Sequence, residues 1–569
     1  MTDWREAVVY QIYPASFQDS NEDGIGDLRG IIARLDYVKD LGADMIWLSP
    51  INQSPQKDMG YDISDYRQIH APYGSLQDVD ELISQMRARD MKLIMDLVVN
   101  HTSDEHAWFK ESRSSKSSSK RDWYIWRAPR IDPQGKRGPP NNWRSVFGGS
   151  AWEWDDTSKE YYLHMFAVEQ PDLNWENSVV VQAVHADMEF WLKKGIGGFR
   201  IDAFGYVSKH PDLPDAPISA PSKELQAPEL LAKNGPRIHE HLYNMNRLFE
   251  KYDIMTVGEM SGVDEVDDLL LYVGKSRQEL DTLFQFDQPH LPTFSDLSAL
   301  EAQFAKVKYL KTSIRKWQGE LHGTDGWPTI YLENHDIPRS ISKMVSDSDE
   351  YREVCAKLLA LYASTMWGTL YVYQGQEIGM RNVPPTWLVS EYLDVSAQNA
   401  WREFTSTGQR TEAERTAWLS ELRGRARDNA RTPMQWDAST NAGFSAGKPW
   451  MRVNDDYKEC NVSLQKQHPD SVLGFWKQCL RMRREYKDVL LYGSFELNEE
   501  SVSEGVIAYD RTSSAGTFRV LLNFAPCEGS VASSSGSWEL VLGNRRKQVG
   551  SGSPIKLAAF EGVVLRRKD

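Results

Sequence analysis

Short apolar runs rich in β-branched residues recur along the chain at residues 8–13, 45–48, 92–97, 198–202, 255–258, 283–286, 329–332 and 370–373. Between most of them the apolar spacing changes to a helical period, as at 76–89, 179–194 and 354–364. Runs this short and this apolar, alternating with helices, predict parallel strands buried on both faces. The expected fold class is therefore α/β, a (β/α)8 TIM barrel, whose active site would lie at the C-terminal ends of its strands. Three stretches break the alternation. Residues 102–175 form a long, irregular, aromatic-rich insertion after the third strand, read as an inserted lid subdomain. A second excursion, at about 375–460, follows the eighth strand. After about residue 488 the pattern becomes short alternating runs at 506–509, 518–523, 538–542 and 562–565, a C-terminal antiparallel β domain. The expected division is 1–101 and 176–487 for the barrel, 102–175 for the insertion and 488–569 for the β domain.

Composition narrows the class of function. A formal net charge of −15 repels phosphate backbones and anionic lipid, so neither nucleic acid nor a membrane is expected as a partner. No apolar stretch approaches the roughly 20 residues that span a bilayer, and the start of the chain lacks the apolar core of a signal peptide. The four cysteines are far apart, without a CxxC pair, which argues against a disulfide scaffold or a zinc site. A cytoplasmic location is expected. Asn100-His101-Thr102 has the form of a glycosylation sequon, but it falls inside a strand-end motif where a glycan would block a pocket.

Four segments carry ionisable groups at predicted strand ends: Asp96-Leu97-Val98-Val99-Asn100-His101, Gly198-Phe199-Arg200-Ile201-Asp202, Val257-Gly258-Glu259 and Glu333-Asn334-His335-Asp336. Arg200 and Asp202, two apart on a strand, point to one face. A guanidinium beside Asp202 is expected to lower its pKa and keep it ionised, as a nucleophile needs. An isolated R-x-D is equally a structural ion pair. Glu259, flanked by Val257, Gly258 and Met260, is expected to resist ionisation and serve as general acid. Together the two acids are the set of a retaining glycosidase, whose carboxyls lie about 5–5.5 Å apart. His101, His335 and Asp336 would hold sugar hydroxyls and stabilise positive charge at the reacting carbon.

These motifs, in this order, resemble the α-amylase superfamily, glycoside hydrolase family 13, over essentially the whole chain. The nearest branch is that of maltases, oligo-1,6-glucosidases and sucrose isomerases. Gln170-Pro171-Asp172-Leu173-Asn174-Trp175 resembles a further family region, and Arg427 to Trp436 a segment typical of the branch. The resemblance implies Asp202 as nucleophile, Glu259 as acid/base and Asp336 as transition-state stabiliser. It also implies a glucose pocket in which Tyr61 stacks on the ring and Asp62 with Arg427, or Arg431 in its place, brackets the outer hydroxyls. His101, Phe166, Gln170, Arg200 and His335 complete that pocket. An Asp–Arg pair at its far end would leave room for one sugar, hence exo action. Within the branch, valine after the nucleophile goes with α-1,6 substrates and a smaller residue with α-1,4. Ala203 therefore implies an α-glucosidase acting on maltose and short maltooligosaccharides, with sucrose as a further candidate; Ala203 small merely for packing is the plainer reading.

Asp19-x-Asn21-x-Asp23-Gly24-Ile25-x-Asp27 has the spacing of a calcium loop, with the Ile25 carbonyl as backbone ligand, but Gly30 stands where a bidentate glutamate belongs. A structural Ca²⁺ or Mg²⁺ is expected there, and no organic cofactor. Competing readings are an α-1,6-specific oligo-1,6-glucosidase, a transglucosylase or sucrose isomerase using the same intermediate, and a catalytically dead interaction protein on this barrel. The last would lack the carboxylates that this chain retains.

Overall fold

Eight short strands carry the frame: β1 (Val8–Ile12), β2 (Met45–Leu48), β3 (Lys92–Val98), β4 (Gly198–Asp202), β5 (Met255–Gly258), β6 (Thr282–Leu283), β7 (Thr329–Ile330) and β8 (Thr369–Tyr373). The computed structural model describes residues 3–406, 408, 410–532, 536–548 and 554–568. In it the strands form one sheet in the order β6-β5-β4-β3-β2-β1-β8-β7, all neighbours parallel. The seam between β6 and β7 is joined by side chains. Thr329 Oγ1 donates to the Leu283 carbonyl (3.0 Å), and the Thr329 N–H donates to Gln285 Oε1 (3.0 Å). Because Gln285 takes over ladder positions, β6 and β7 are two residues each, shorter than the runs expected at 283–286 and 329–332.

The period of two sorts each strand into an inner and an outer row. Val9, Met45, Trp47, Ile94, Met255, Val257 and Phe284 fill the barrel interior. Tyr10, Ile46, Leu48, Leu93, Met95, Phe199 and Ile201 join the larger core beneath the helices. Helices α1 (Leu76–Arg87), α2 (Ser178–Lys194) and α3 (Arg352–Thr365) lie where the 3.6-residue spacing places them. Ser75 and Asp78 form a capping box on α1, and α2 runs from an Asn177 cap to Gly195 at φ 89°, a left-handed stop.

The insertion builds its own three-stranded antiparallel sheet from Trp126–Arg127, Glu160–Leu163 and Trp152–Asp155 around Trp143, Trp152, Leu163 and Met165. It returns to the barrel at the end of β3, where the Leu173 N–H donates to the Asn100 carbonyl (2.9 Å). Asn100 is itself fully buried there, which leaves no room for a glycan. The excursion carries helices α4 (Val395–Ser406) and α5 (Glu412–Arg425), packed on Trp387, Tyr392, Leu422 and Met451. Among the described residues the C-terminal sheet has five strands; its edge strand Ser494–Asn498 lay outside the expected runs, with Phe495 and Leu497 packed against the core from one face. Among the described residues no helix is long and apolar enough to cross a membrane.

Candidate active site

Parallel register places Arg200 of β4 beside Asp96 of β3 and Val257 of β5. All three side chains face the barrel interior, so the guanidinium is surrounded by acids. Arg200 Nη1 donates to Asp96 Oδ1 and to Asp202 Oδ1, each at 2.6 Å, and Nη2 donates to Glu259. Asp202 and Glu259 thus face one space from either side of a single cation that is 1% exposed. Burial pushes Asp202 up to about 7; Arg200 pulls against it and the Asp96 charge adds to it. The expectation of a depressed Asp202 pKa is therefore corrected. One guanidinium shared among three carboxyls, two of them buried and one partly so, cannot neutralise each of them. Burial likewise raises Glu259 to about 7, opposed by Arg200 and reinforced by Asp202 and Asp336, in the direction expected.

A second network faces the first. Asp336 Oδ1 accepts from Arg427 Nη1 (3.1 Å) and Arg431 Nη2 (2.7 Å), and its Oδ2 lies 3.1 Å from His335 Nε2. Burial would raise this carboxyl, but His335 and the Arg427 and Arg431 guanidiniums hold it well below the ordinary range. Asp336 therefore stays charged. His335, lowered by burial, stacks on Tyr61 with ring centroids 5.2 Å apart and receives the Gln11 amide on Nδ1 (2.9 Å). The Tyr61 hydroxyl lies 2.6 Å from His335 Nε2 and donates to Asp96 Oδ2 (3.1 Å), linking the two networks.

The partner of Arg427 is not the one expected. Asp62 accepts from Ser54 Oγ (2.9 Å) and from the N–H groups of Lys57 (2.9 Å) and Asp58 (3.0 Å), so its carboxylate is spent on holding its own turn. Asp58 instead accepts from Arg427 Nη2 (3.0 Å) and from Gln170 Nε2 (3.1 Å). The intervening Met59 and Gly60 both adopt positive φ (50° and 103°), which reverses the chain and sends the two carboxylates apart. Of the two arginines, Arg427 is the one that pairs with Asp58, while both bond Asp336. Asp394, Asp96 and Asp58 are the members that sequence reasoning missed. Asp96 alone had a signal, opening the first strand-end motif.

The remaining expected residues lie together. His101, pushed down to about 4 by burial, is 3.0 Å from the Tyr61 carbonyl and 3.1 Å from Gln170 Nε2, with Phe166 tilted against its ring at 5.2 Å. Ala203, next to Asp202, sits in the left-handed region at φ 41°, ψ 33°. That conformation costs a residue with a Cβ roughly 1–2 kcal/mol.

In the loop after β1, three successive turns bond side chain to backbone: Asn21 N–H to Asp19 (2.9 Å), Asp23 N–H to Asn21 (3.0 Å) and Ile25 N–H to Asp23 (2.8 Å). Asp27 is used otherwise, capping the helix Leu28–Ala33 at the Gly30 N–H (2.7 Å). A Cβ on Gly30 would stand 2.1 Å from the Gln18 carbonyl oxygen, so no glutamate fits there. Among the described residues no three Asp, Glu, His or Cys side chains converge to hold a metal. The donors left to a cation are Asp19, Asn21, Asp23 and the Ile25 carbonyl, all hard oxygens suited in kind to Ca²⁺ or Mg²⁺.

Two buried arginines (200 and 431) and the partly buried Arg427 thus face six carboxyls (58, 96, 202, 259, 336 and 394). A pocket with this excess of acid, some of it protonated, suits a reaction in which positive charge develops on the substrate. The chain matches the family described as alpha amylase, catalytic domain, over residues 11–493. It is 47% identical over 571 residues to an alpha-glucosidase of Schizosaccharomyces pombe, covering 99% of this chain and 98% of that one. An oligo-1,6-glucosidase of Parageobacillus thermoglucosidasius is 47% identical over 525 residues, covering 92% and 90%. The crystal structure of isomaltulose synthase from Erwinia rhapontici NX5 superposes with a TM-score of 0.89 at 38% identity, covering 100% of both chains. Barrel, strand-end acids and comparisons agree: this chain belongs to the α-amylase family of glycoside hydrolases.

Proposed function

We propose that the protein is a retaining exo-α-glucosidase that releases terminal glucose from maltose and short α-1,4-linked oligosaccharides. The observation that carries this reading is the sharing of Arg200 by Asp202 and Glu259, in a pocket where Asp58 and Arg427 pair at 3.0 Å. Asp202 would attack the anomeric carbon as Glu259 gives its proton to the leaving oxygen, forming a β-glucosyl ester. Glu259, now ionised, would take a proton from water as water breaks that ester, returning glucose in the α configuration. Asp336, charged throughout, would oppose the positive charge at the ring, with Tyr61 against one face. The Asp58–Arg427 pair would bracket the outer hydroxyls and stop the pocket after one sugar. Proton NMR of the hydrolysis of an aryl α-glucoside, whose leaving group is not a sugar, is expected to show α-glucose first; β-glucose as the first sugar product would sink the retaining mechanism.

Linkage preference rests on Ala203. Maltose is expected to be cleaved far faster than isomaltose, and Ala203→Val to raise the isomaltose-to-maltose ratio of kcat/KM about tenfold, the scale of a methyl-sized change in a pocket. Because a β-branched residue is strained at φ 41°, the variant should also melt at lower temperature. An unmodified enzyme that prefers isomaltose would overturn the assignment. Transglucosylation or sucrose isomerisation is the second reading, favoured by the likeness to an isomaltulose synthase. Product analysis with maltose and sucrose at high concentration separates it from hydrolysis.

We also propose that a Ca²⁺ or Mg²⁺ ion binds the loop after β1 and serves stability alone. Chelation is expected to lower the melting temperature by several degrees, reversed on adding Ca²⁺, with kcat unchanged at 25 °C. Identical melting curves with and without chelator would refute it. A reducing, cytoplasmic setting is supported by four free cysteines, of which Cys527 alone is exposed.

A further inference from the structure

Helix α4 of the excursion begins at Asp394, a carboxylate 2% exposed that no motif marked. Its two oxygens have different partners. Oδ1 accepts from the N–H groups of Ser396 (3.0 Å) and Ala397 (3.2 Å) and caps the helix. Oδ2 accepts from Arg427 Nε (2.7 Å) and Arg431 Nη1 (3.2 Å), with Arg427 Nη2 at 2.5 Å. The same helix reaches Arg427 a second way. Asn399 donates to the Phe147 carbonyl (3.2 Å), and the Phe147 ring lies over the Arg427 guanidinium at 5.1 Å.

Two guanidiniums side by side, that of Arg431 buried and that of Arg427 partly so, repel each other and need anions between them. Asp336 supplies one, bonding both arginines through Oδ1. That carboxylate must also face the substrate, so it cannot be the sole clip. Asp394 bonds the same pair and, held rigid by its helix cap, fixes them independently of the sugar.

We propose that Asp394 is a positioning residue for the glucosidase reaction: it sets Arg427 and Arg431 so that both guanidiniums stay aimed at Asp336 and Arg427 at Asp58. The inference rests on the reading given under Proposed function. If the unmodified enzyme leaves maltose intact, that reading fails; if it cleaves maltose and the variants below disobey the order, only this inference fails.

The test separates charge from cap. Asp394→Asn and Asp394→Ser keep a good helix cap and remove the charge. Asp394→Glu keeps the charge and gives up the cap. A role in holding the arginines predicts that Asn and Ser lose about 10²-fold in kcat/KM on maltose, the cost of displacing groups at a reacting centre by about 1 Å. KM and the inhibition constant of glucose should rise together, and the Glu variant should stay within about tenfold of the parent. A purely structural role predicts the reverse, with Asn and Ser near the parent and Glu the weakest. That reversed order, or an unchanged kcat/KM in the Asn or Ser variant, overturns the proposal. Should one uncharged variant fail to fold, the other against Glu still decides.

Discussion

Asp202→Asn is expected to reduce kcat on maltose by a factor on the order of 10⁶, the scale seen when a covalent nucleophile is deleted. The fold should survive, because Arg200 keeps Asp96 and Glu259 as partners and its buried charge stays paired. A second, independent readout follows from the shared cation. The Asp202 charge is one of the influences that raise Glu259, so its removal should bring the Glu259 pKa down from about 7. Carbon-13 NMR of the labelled Glu259 carboxyl would follow this shift. Turnover above about 1% of the parent would refute the nucleophile, and an unmoved Glu259 titration would refute the coupling.

Glu259→Gln is expected to lower kcat on maltose by about 10²–10⁴-fold, the usual worth of general acid–base help. In kcat/KM, which reports the first step alone, the loss should be much smaller with an aryl glucoside whose leaving group departs without a proton, whereas kcat on that glucoside should still fall because Glu259 is also the base for water. The pH profile gives the sign. Glu259 works as an acid while protonated, so in the parent enzyme kcat/KM should fall as pH rises through about 7. Glutamine cannot lose that proton, and the alkaline fall should vanish from the residual activity. The acid limb, which reports the partner that must be ionised, should remain. Because the two carboxyls interact, the apparent values belong to the pair. An equal loss of kcat/KM for maltose and the aryl glucoside would exclude Glu259 as the proton donor.

The sequence pattern revealed the frame because barrel strands are short apolar runs, and seven of the eight lie within a residue or two of their expected bounds. It revealed Asp202, Glu259 and Asp336 because an acid that ends an apolar strand emerges from the core at the mouth of the barrel. What it could not reveal was set by geometry across the chain. Asp58 and Asp62 flank the same tyrosine, and only the positive φ of Met59 and Gly60 decides which one meets Arg427. Arg200 two residues from Asp202 suggested a simple pair, whereas strand register brings Asp96 and Glu259 to the same guanidinium. Asp394 lies in an irregular excursion without a period to mark it. The metal-like spacing at 19–27 was plain, yet nothing in it announced that Asp27 caps a helix.

The pairing of β1 with β8, Val8 against Leu370, also bears on how the chain comes off the ribosome. At roughly 5–20 residues per second, about 20–70 s separate the synthesis of those two segments. During that interval the first strand has a bare apolar edge with nothing to close it, the kind of surface that invites aggregation. Glucosidase activity cannot emerge before that edge is closed and the arginines at 427 and 431 have been made.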